Sequence, residues 1–196
     1  MIHKPARNAG RNGLDDTTTA TEPEMIQTCT GCAENGDGMD LTFPTDTGKV
    51  NYRVAALMLR ENRVLAMKDD RSPYFYLPGG RVHMGEAAED AILHELSEEL
   101  GGDRSFRIIR PVFLVQSFFT DDTDGVPYHE LCLYFLIDFR EADFPEGQFT
   151  GREGNRVHTF RWLASDRLGE EYFYPTFLQN ELSRLPDTLT LCTERG

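Results

Sequence analysis

The chain has 196 residues, with 20 Lys and Arg against 33 Asp and Glu, giving a formal charge of −13 at pH 7. That length supports one medium-sized core with room for a terminal extension, and 39% hydrophobic with 27% charged residues fits a water-facing globular chain. The acidic balance argues against bulk attraction to nucleic acid or to an anionic membrane, although cations bound in an acidic pocket reverse the local field and allow polyphosphate chemistry there.

Residues 1–38 are rich in glycine, threonine and charge without a sustained apolar period, and read as a flexible extension ahead of a single domain over residues 39–196. The N-terminus lacks the basic-then-apolar order of a secretory signal, and no run of about 20 apolar residues follows it. The expectation is a cytoplasmic protein without membrane association. Cys29-Thr30-Gly31-Cys32 offers half of a zinc site or a redox pair, but no second CxxC and no nearby histidine pair completes it. Reduced thiols are the simpler reading, and Cys132 and Cys192 do not turn the set into a disulfide framework.

Met39 to Pro44 is expected as a short strand that completes a sheet or reaches across a homodimer. From Val50 to Lys68, apolar runs flank Arg60-Glu61-Asn62-Arg63, the pattern of two strands joined by a polar turn. Tyr74-Phe75-Tyr76 then leads into Leu77-Pro78-Gly79-Gly80. Aromatic alternation is first a packing feature, and Tyr76 is also a candidate for lining a substrate pocket.

The following stretch organises the chain. The residues after Gly85 favour a helix, and Leu100-Gly101-Gly102 stops it. Glu95, Glu98 and Glu99 stand at i, i+3 and i+4 on one helical surface, beside an apolar stripe of Ile92, Leu93, Leu96 and Leu100. Like charges at that spacing repel by about 0.2–0.5 kcal/mol per pair on an exposed helix, and a divalent cation would offset the repulsion. The plain alternative is the wet side of an acidic helix.

Beyond it, Phe106 to Phe119 reads as one or two extended pieces, because Pro111 disfavours an unbroken central strand. Leu131, Leu133, Phe135, Ile137 and Phe139 alternate as in a sheet strand, with His129 and Glu130 at its start as candidate ligand contacts. Residues 141–156 form a polar, glycine-containing specificity loop carrying Glu153. Val157 to Leu163 resumes a strand, and Leu168 to Leu185 suggests a terminal helix covering the sheet.

Gly80, Glu86, His94-Glu95-Leu96, Glu98-Glu99 and Gly101, in this spacing, resemble the signature of the Nudix hydrolases, a family with MutT-like and ADP-ribose pyrophosphatase-like members. His94 stands where the signature has arginine, and Gly102 where it has a hydrophobe. The resemblance implies an α/β (α+β) fold, a mixed β-sheet sandwiched between α-helices. It implies Mg²⁺, or Mn²⁺ as the alternative, held by Glu95, Glu98, Glu99 and the backbone of Gly80. Gly79, Glu86, His94 and Gly101 would support these ligands, and Glu95, Glu98 and Glu153 are the catalytic candidates, with Glu95 and Glu153 both open as general base. A histidine offers fewer donors than an arginine and a charge that vanishes near neutrality, so its hold on the motif is expected to be weaker. The implied reaction is hydrolysis of a phosphoanhydride bond in a nucleoside diphosphate linked to another group, such as a nucleotide sugar. A nucleoside triphosphate or diphosphate pyrophosphohydrolase and a non-catalytic nucleotide-binding module remain alternatives. Tyr76, Phe118, His129 and Glu130 are candidate substrate contacts by placement.

Overall fold

Apolar alternation along the chain builds two sheets in the computed structural model, which describes residues 38–101, 104–121 and 124–196. Residues 1–37 of the extension expected over residues 1–38, with Cys29 and Cys32, lie outside the described residues. Strands β1 (Thr42–Thr45), β2 (Gly48–Leu57), β3 (Leu59–Arg60) and β4 (Arg63–Lys68) precede helix α1 (Ala88–Leu100). Strands β5 (Phe106–Thr120), β6 (Pro127–Phe139), β7 (Phe149–Glu153) and β8 (Arg156–Ala164) follow, and the one-turn helix α2 (Leu178–Glu181) precedes β9 (Thr190–Arg195). A five-stranded mixed sheet has the order β1-β2-β6-β5-β9, with β2–β6 and β5–β9 parallel; a four-stranded antiparallel sheet has the order β3-β4-β8-β7. The chain passes from one sheet to the other at Met58, which is fully buried.

The strands carry apolar residues on both faces, so both faces must be covered. Val54, Ala56, Leu65, Met67, Phe135, Phe160 and Trp162 join Ala91, Ile92 and Leu96 of α1 in one core. Ala55, Leu57, Val64, Ala66, Tyr134 and Leu163 turn the other way, against Leu168, Phe173, Leu178 and Leu182. This is the expected mixed sheet between helical layers. Among the described residues no helix is long and apolar enough to cross a membrane.

Three expectations about elements change. The stretch expected as a terminal helix is a 3-10 segment at Ser165–Glu170, an extended link and then α2. Pro175 has no N–H to give a continuous helix, and the leucines reach one core from separate turns. The expected loop over residues 141–156 holds a 3-10 turn at Glu141–Asp143 and then β7. It is pinned by the buried Arg60, which donates to the carbonyls of Glu141 (2.6 Å) and Phe144 (3.2 Å), and by the Trp162 indole, which donates to the Pro145 carbonyl at 3.1 Å. Finally, β5 runs through Pro111 unbroken. Register shifts against β6 fall between Ile108 and Arg110 and between Pro111 and Phe113, and β9 pairs with β5 only from Phe113 onward. Pro111 therefore sits at a bulge with one neighbour, where its missing N–H is tolerated.

Helix α1 ends as its sequence requires. Gly101 has φ +63° and its N–H bonds the Ser97 carbonyl, while the Arg104 guanidinium donates to the carbonyls of Leu100 and Gly101 at the negative end of the helix dipole.

The turn before α1 depends on Gly79, which has φ +140° and would place a Cβ 2.2 Å from the Val54 carbonyl oxygen. Gly79→Ala is expected to lower folding stability by about 2 kcal/mol or more. Gly85→Ala, also at positive φ (+84°) but with nothing within 4 Å, is expected to cost about 1 kcal/mol. Denaturant unfolding of both variants checks this, and equal losses would remove the close approach as the cause.

Candidate functional site

β1 covers only the first part of β2, pairing with Gly48 to Asn51. The rest of that edge is taken by residues 78–82, through Ala56 N–H to the Pro78 carbonyl (2.8 Å), Val54 N–H to Gly80 (3.0 Å) and Val82 N–H to Tyr52 (3.1 Å). These bonds hold the glycine turn flat along the sheet edge and against α1. Gly79 N–H donates to Glu99 Oε2 at 3.0 Å, and a Cβ on Gly80 would lie 1.9 Å from Glu95 Oε1. No residue but glycine leaves Glu95 where it is.

The three glutamates of the helix do not share one environment. Glu98 is exposed, Glu95 is half-buried, and Glu99 is 3% exposed on the same stripe as Leu96 and Leu100. Glu153 approaches them because β7 crosses close to the end of α1: a Cβ on Gly151 would sit 2.5 Å from the Glu99 carbonyl oxygen. The buried His158 fixes Glu153 through an Nε2 to Oε2 contact of 3.0 Å.

This crowding shows in the protonation equilibria. Burial, then the charges of Glu153 and Glu98, push the Glu95 carboxyl up to about 7, against the opposing pull of Arg53 and His94. Glu99 is raised well above the usual carboxylate range by burial, Glu95 and Glu153, and the Gly79 N–H and Arg53 only partly restrain it. Arg53 is the cation nearest this group in effect. Its guanidinium reaches the Gly79 carbonyl at 3.5 Å, and although burial disfavours its charge, the carboxylates of Glu130 and Glu95 hold it firmly protonated.

The other expected residues divide. His94 bonds Glu98, Nε2 to Oε1 at 3.1 Å, and its Nδ1 lies 3.5 Å from Glu86 Oε1. It thus links the first and later glutamates of the motif. Tyr76 lies near the cluster, its hydroxyl pKa raised by burial first and then by Asp69 and Glu99. Glu130 accepts from Asn51 Nδ2 at 3.2 Å. Phe118 and His129 are cross-strand partners with ring centroids 4.4 Å apart, and Arg195 lies over the Phe118 ring. Adjacent strand residues point to opposite faces, so His129 and Glu130 do not line the same surface.

Sequence reasoning passed over Arg53 and His83. An arginine inside the apolar Val50–Leu57 run was the available signal for the first. His83 has none beyond its position between Gly80 and Glu86, yet His83, Glu86 and His94 offer ligand atoms all within 4.8 Å of one another and could hold a metal ion. Glu95, Glu98 and Glu99 do not form so tight a group.

A NUDIX domain model matches residues 49–180. An ADP-ribose pyrophosphatase of Methanocaldococcus jannaschii is 26% identical over 97 residues, 48% of this chain and 54% of that protein, so the chain spans about half the length of this curated relative. Among solved structures, a MutT NUDIX hydrolase from Burkholderia pseudomallei aligns with a TM-score of 0.42 and 23% identity, covering 60% of this chain and 84% of that one. A MutT protein from Bacillus halodurans aligns with a TM-score of 0.47 and 14% identity over 68% of this chain and 83% of that one.

Glu95 binds its proton more tightly folded than unfolded, so its contribution to stability is greatest at low pH and is lost as pH rises from about 4.5 through about 7. In chelator, the folded state should therefore weaken by about 1–2 kcal/mol through this residue between pH 5.5 and 8. Denaturant unfolding at the two pH values should show a smaller loss for Glu95→Gln than for the unaltered protein. Equal losses would mean Glu95 is ionised without cost.

Proposed function

This chain belongs to the Nudix family, and we propose that it is a hydrolase of nucleotide-linked substrates that cleaves the phosphoanhydride bond of a nucleoside diphosphate joined to a second group. The observation that carries this reading is the gathering of Glu95 and Glu99 against one glycine turn with Glu153 close by, where burial and mutual repulsion raise the first two carboxyls above the ordinary range. Such a group is unfavourable by itself and fits a ligand that brings positive charge.

The donor chemistry suits Mg²⁺ or Mn²⁺, hard cations that prefer carboxylate and carbonyl oxygens. Glu95, Glu98, Glu99 and the Gly80 carbonyl would hold it, with Glu98 swinging from its contact with His94. When bound, such a cation neutralises phosphate charge and acidifies water. The chain's own residues supply the rest. Gly79 and Gly80 leave room for a phosphate to approach the backbone. Arg53 anchors the Gly79 carbonyl and limits repulsion among the carboxylates. Glu95 or Glu153 accepts the proton of the attacking water, and His158 orients Glu153 for that task. Tyr76 offers a ring for a base, joined either by the Phe118 and His129 pair as a further stack or, on the other face of β6, by Glu130 as an acceptor for sugar hydroxyls.

The likeness to an ADP-ribose pyrophosphatase supports a nucleoside diphosphate linked to a sugar as substrate. We place all these parts within one catalytic domain over residues 39–196. Product-resolved chromatography over a nucleotide panel, with Mg²⁺, Mn²⁺ or chelator, is the test. The expected products are a nucleoside monophosphate and a sugar phosphate; release of pyrophosphate from triphosphates instead would assign the other hydrolase class.

Glu98→Gln should keep the fold and lower kcat by 100-fold or more. Normal Mg²⁺-dependent turnover in that variant would overturn the assignment of the metal helix. Glu153→Gln should lower kcat by about 10²–10⁴-fold with little change in KM if Glu153 is the base; an unchanged kcat moves that role to Glu95. His94→Arg should preserve or raise turnover.

A further inference from the structure

His83, Glu86 and His94 meet where the glycine turn enters α1, and no step proposed above uses them as ligands. The Nδ1 atoms of His83 and His94 face different oxygens of the same carboxylate, Glu86 Oε2 and Oε1, each at 3.5 Å. Neither contact is a hydrogen bond. Glu86 Oε1 is buried without a partner, while Oε2 accepts the His83 backbone N–H at 3.0 Å; the side chain as a whole is 7% exposed. A buried carboxylate whose two oxygens each face an imidazole nitrogen, one of those oxygens having no hydrogen-bond partner, is costly unless a cation completes the group.

The outer nitrogens give independent support. His83 Nε2 lies 3.3 Å from Asp40 Oδ1, and His94 Nε2 lies 3.1 Å from Glu98 Oε1. A carboxylate beside Nε2 favours the proton there and leaves the Nδ1 lone pair pointing inward, the arrangement by which outer carboxylates orient metal-binding histidines. A tetrahedral centre with ligands at about 2.0–2.1 Å sets them about 3.3 Å apart, and the ligand atoms here, all within 4.8 Å of one another, need only a small inward shift to reach that spacing. Two imidazoles and one carboxylate form a borderline donor set suited to Zn²⁺ and unlike the all-oxygen set offered by Glu95, Glu98 and Glu99.

We propose that His83, Glu86 and His94 form a zinc site separate from the carboxylate cluster, with its fourth position open to water. The ion clips the turn after Gly80 to the first half of α1. Through the His94 to Glu98 contact, it also sets the resting direction of a carboxylate that belongs to the neighbouring cluster.

The test uses the full chain, stripped with a chelator and then titrated with Co²⁺ and Zn²⁺ in excess Mg²⁺ and without nucleotide. One equivalent of Co²⁺ should give the visible bands of a four- or five-coordinate ion without thiolate charge transfer, and Zn²⁺ should displace it. Zn²⁺ affinity, read by competition with a chromophoric chelator, should fall at least tenfold in both His83→Ala and Glu86→Gln, with circular dichroism verifying the fold of each. It should persist in Glu99→Gln and in the Cys29→Ser, Cys32→Ser double variant. Affinity unchanged in both ligand variants, displacement by Mg²⁺, or a thiolate band abolished by the cysteine changes would overturn the proposal. Because binding is read without turnover, its failure leaves the hydrolase reading standing, and an inactive protein that still binds Zn²⁺ at these residues separates the two the other way.

Discussion

The bond from Gly79 N–H to Glu99 is the constraint on which the rest of the site depends. Glu99 lies on the apolar side of α1, where a carboxylate has little access to water, and the backbone amide is the hydrogen-bond donor that accompanies it there. For that amide to arrive, the turn must follow the open edge of β2, and Gly79 must adopt a backbone angle that L side chains rarely adopt. Once the turn is in place, Gly80 lies flat beneath Glu95. The sheet edge, the helix and the turn thus position one another, and the carboxylates inherit their geometry from backbone contacts rather than from loop side chains.

Much of this was readable from residue order, because the helix period and the Gly-Gly entry leave little freedom. Glu95, Glu98 and Glu99 had to project from neighbouring directions, and Gly101 had to end the helix. Their differing burial was not readable. Which glutamate faces the core depends on how α1 rolls against Met67, Phe160 and the crossing β7, contacts far apart in sequence. The same limit hid Arg53. A charged residue in an apolar strand reads locally as an interruption, and only the pairing of β2 with β6 and with the glycine turn brings it between Glu130 and Glu95. The strands themselves followed from alternation. The terminal helix did not, since Leu168, Phe173, Leu178 and Leu182 satisfy one core from several short turns as well as a continuous helix would.

His94 shows how a single departure from a motif changes the meaning of its surroundings. An arginine there would fill the space beside Glu86 with a fixed charge and several donors. The shorter imidazole leaves Glu86 Oε1 without a hydrogen bond and turns its outer nitrogen to Glu98. His83, unremarkable in the sequence, then acquires significance because it mirrors His94 across the same carboxylate, with Asp40 standing behind it as Glu98 stands behind His94.

Strand β9 has a bearing on how the protein is handled. It lies parallel to β5 from Phe113 to Phe118, covering the backbone of a segment rich in Phe, Leu and Val, and Gly196 N–H extends the pairing to the Phe118 carbonyl at 2.9 Å. An uncovered strand of that composition is a template for pairing with another chain. A version shortened before Thr190 would retain every carboxylate discussed above, yet would present this bare edge to its own copies. Self-association, rather than damaged chemistry, would then be the first consequence of trimming the chain.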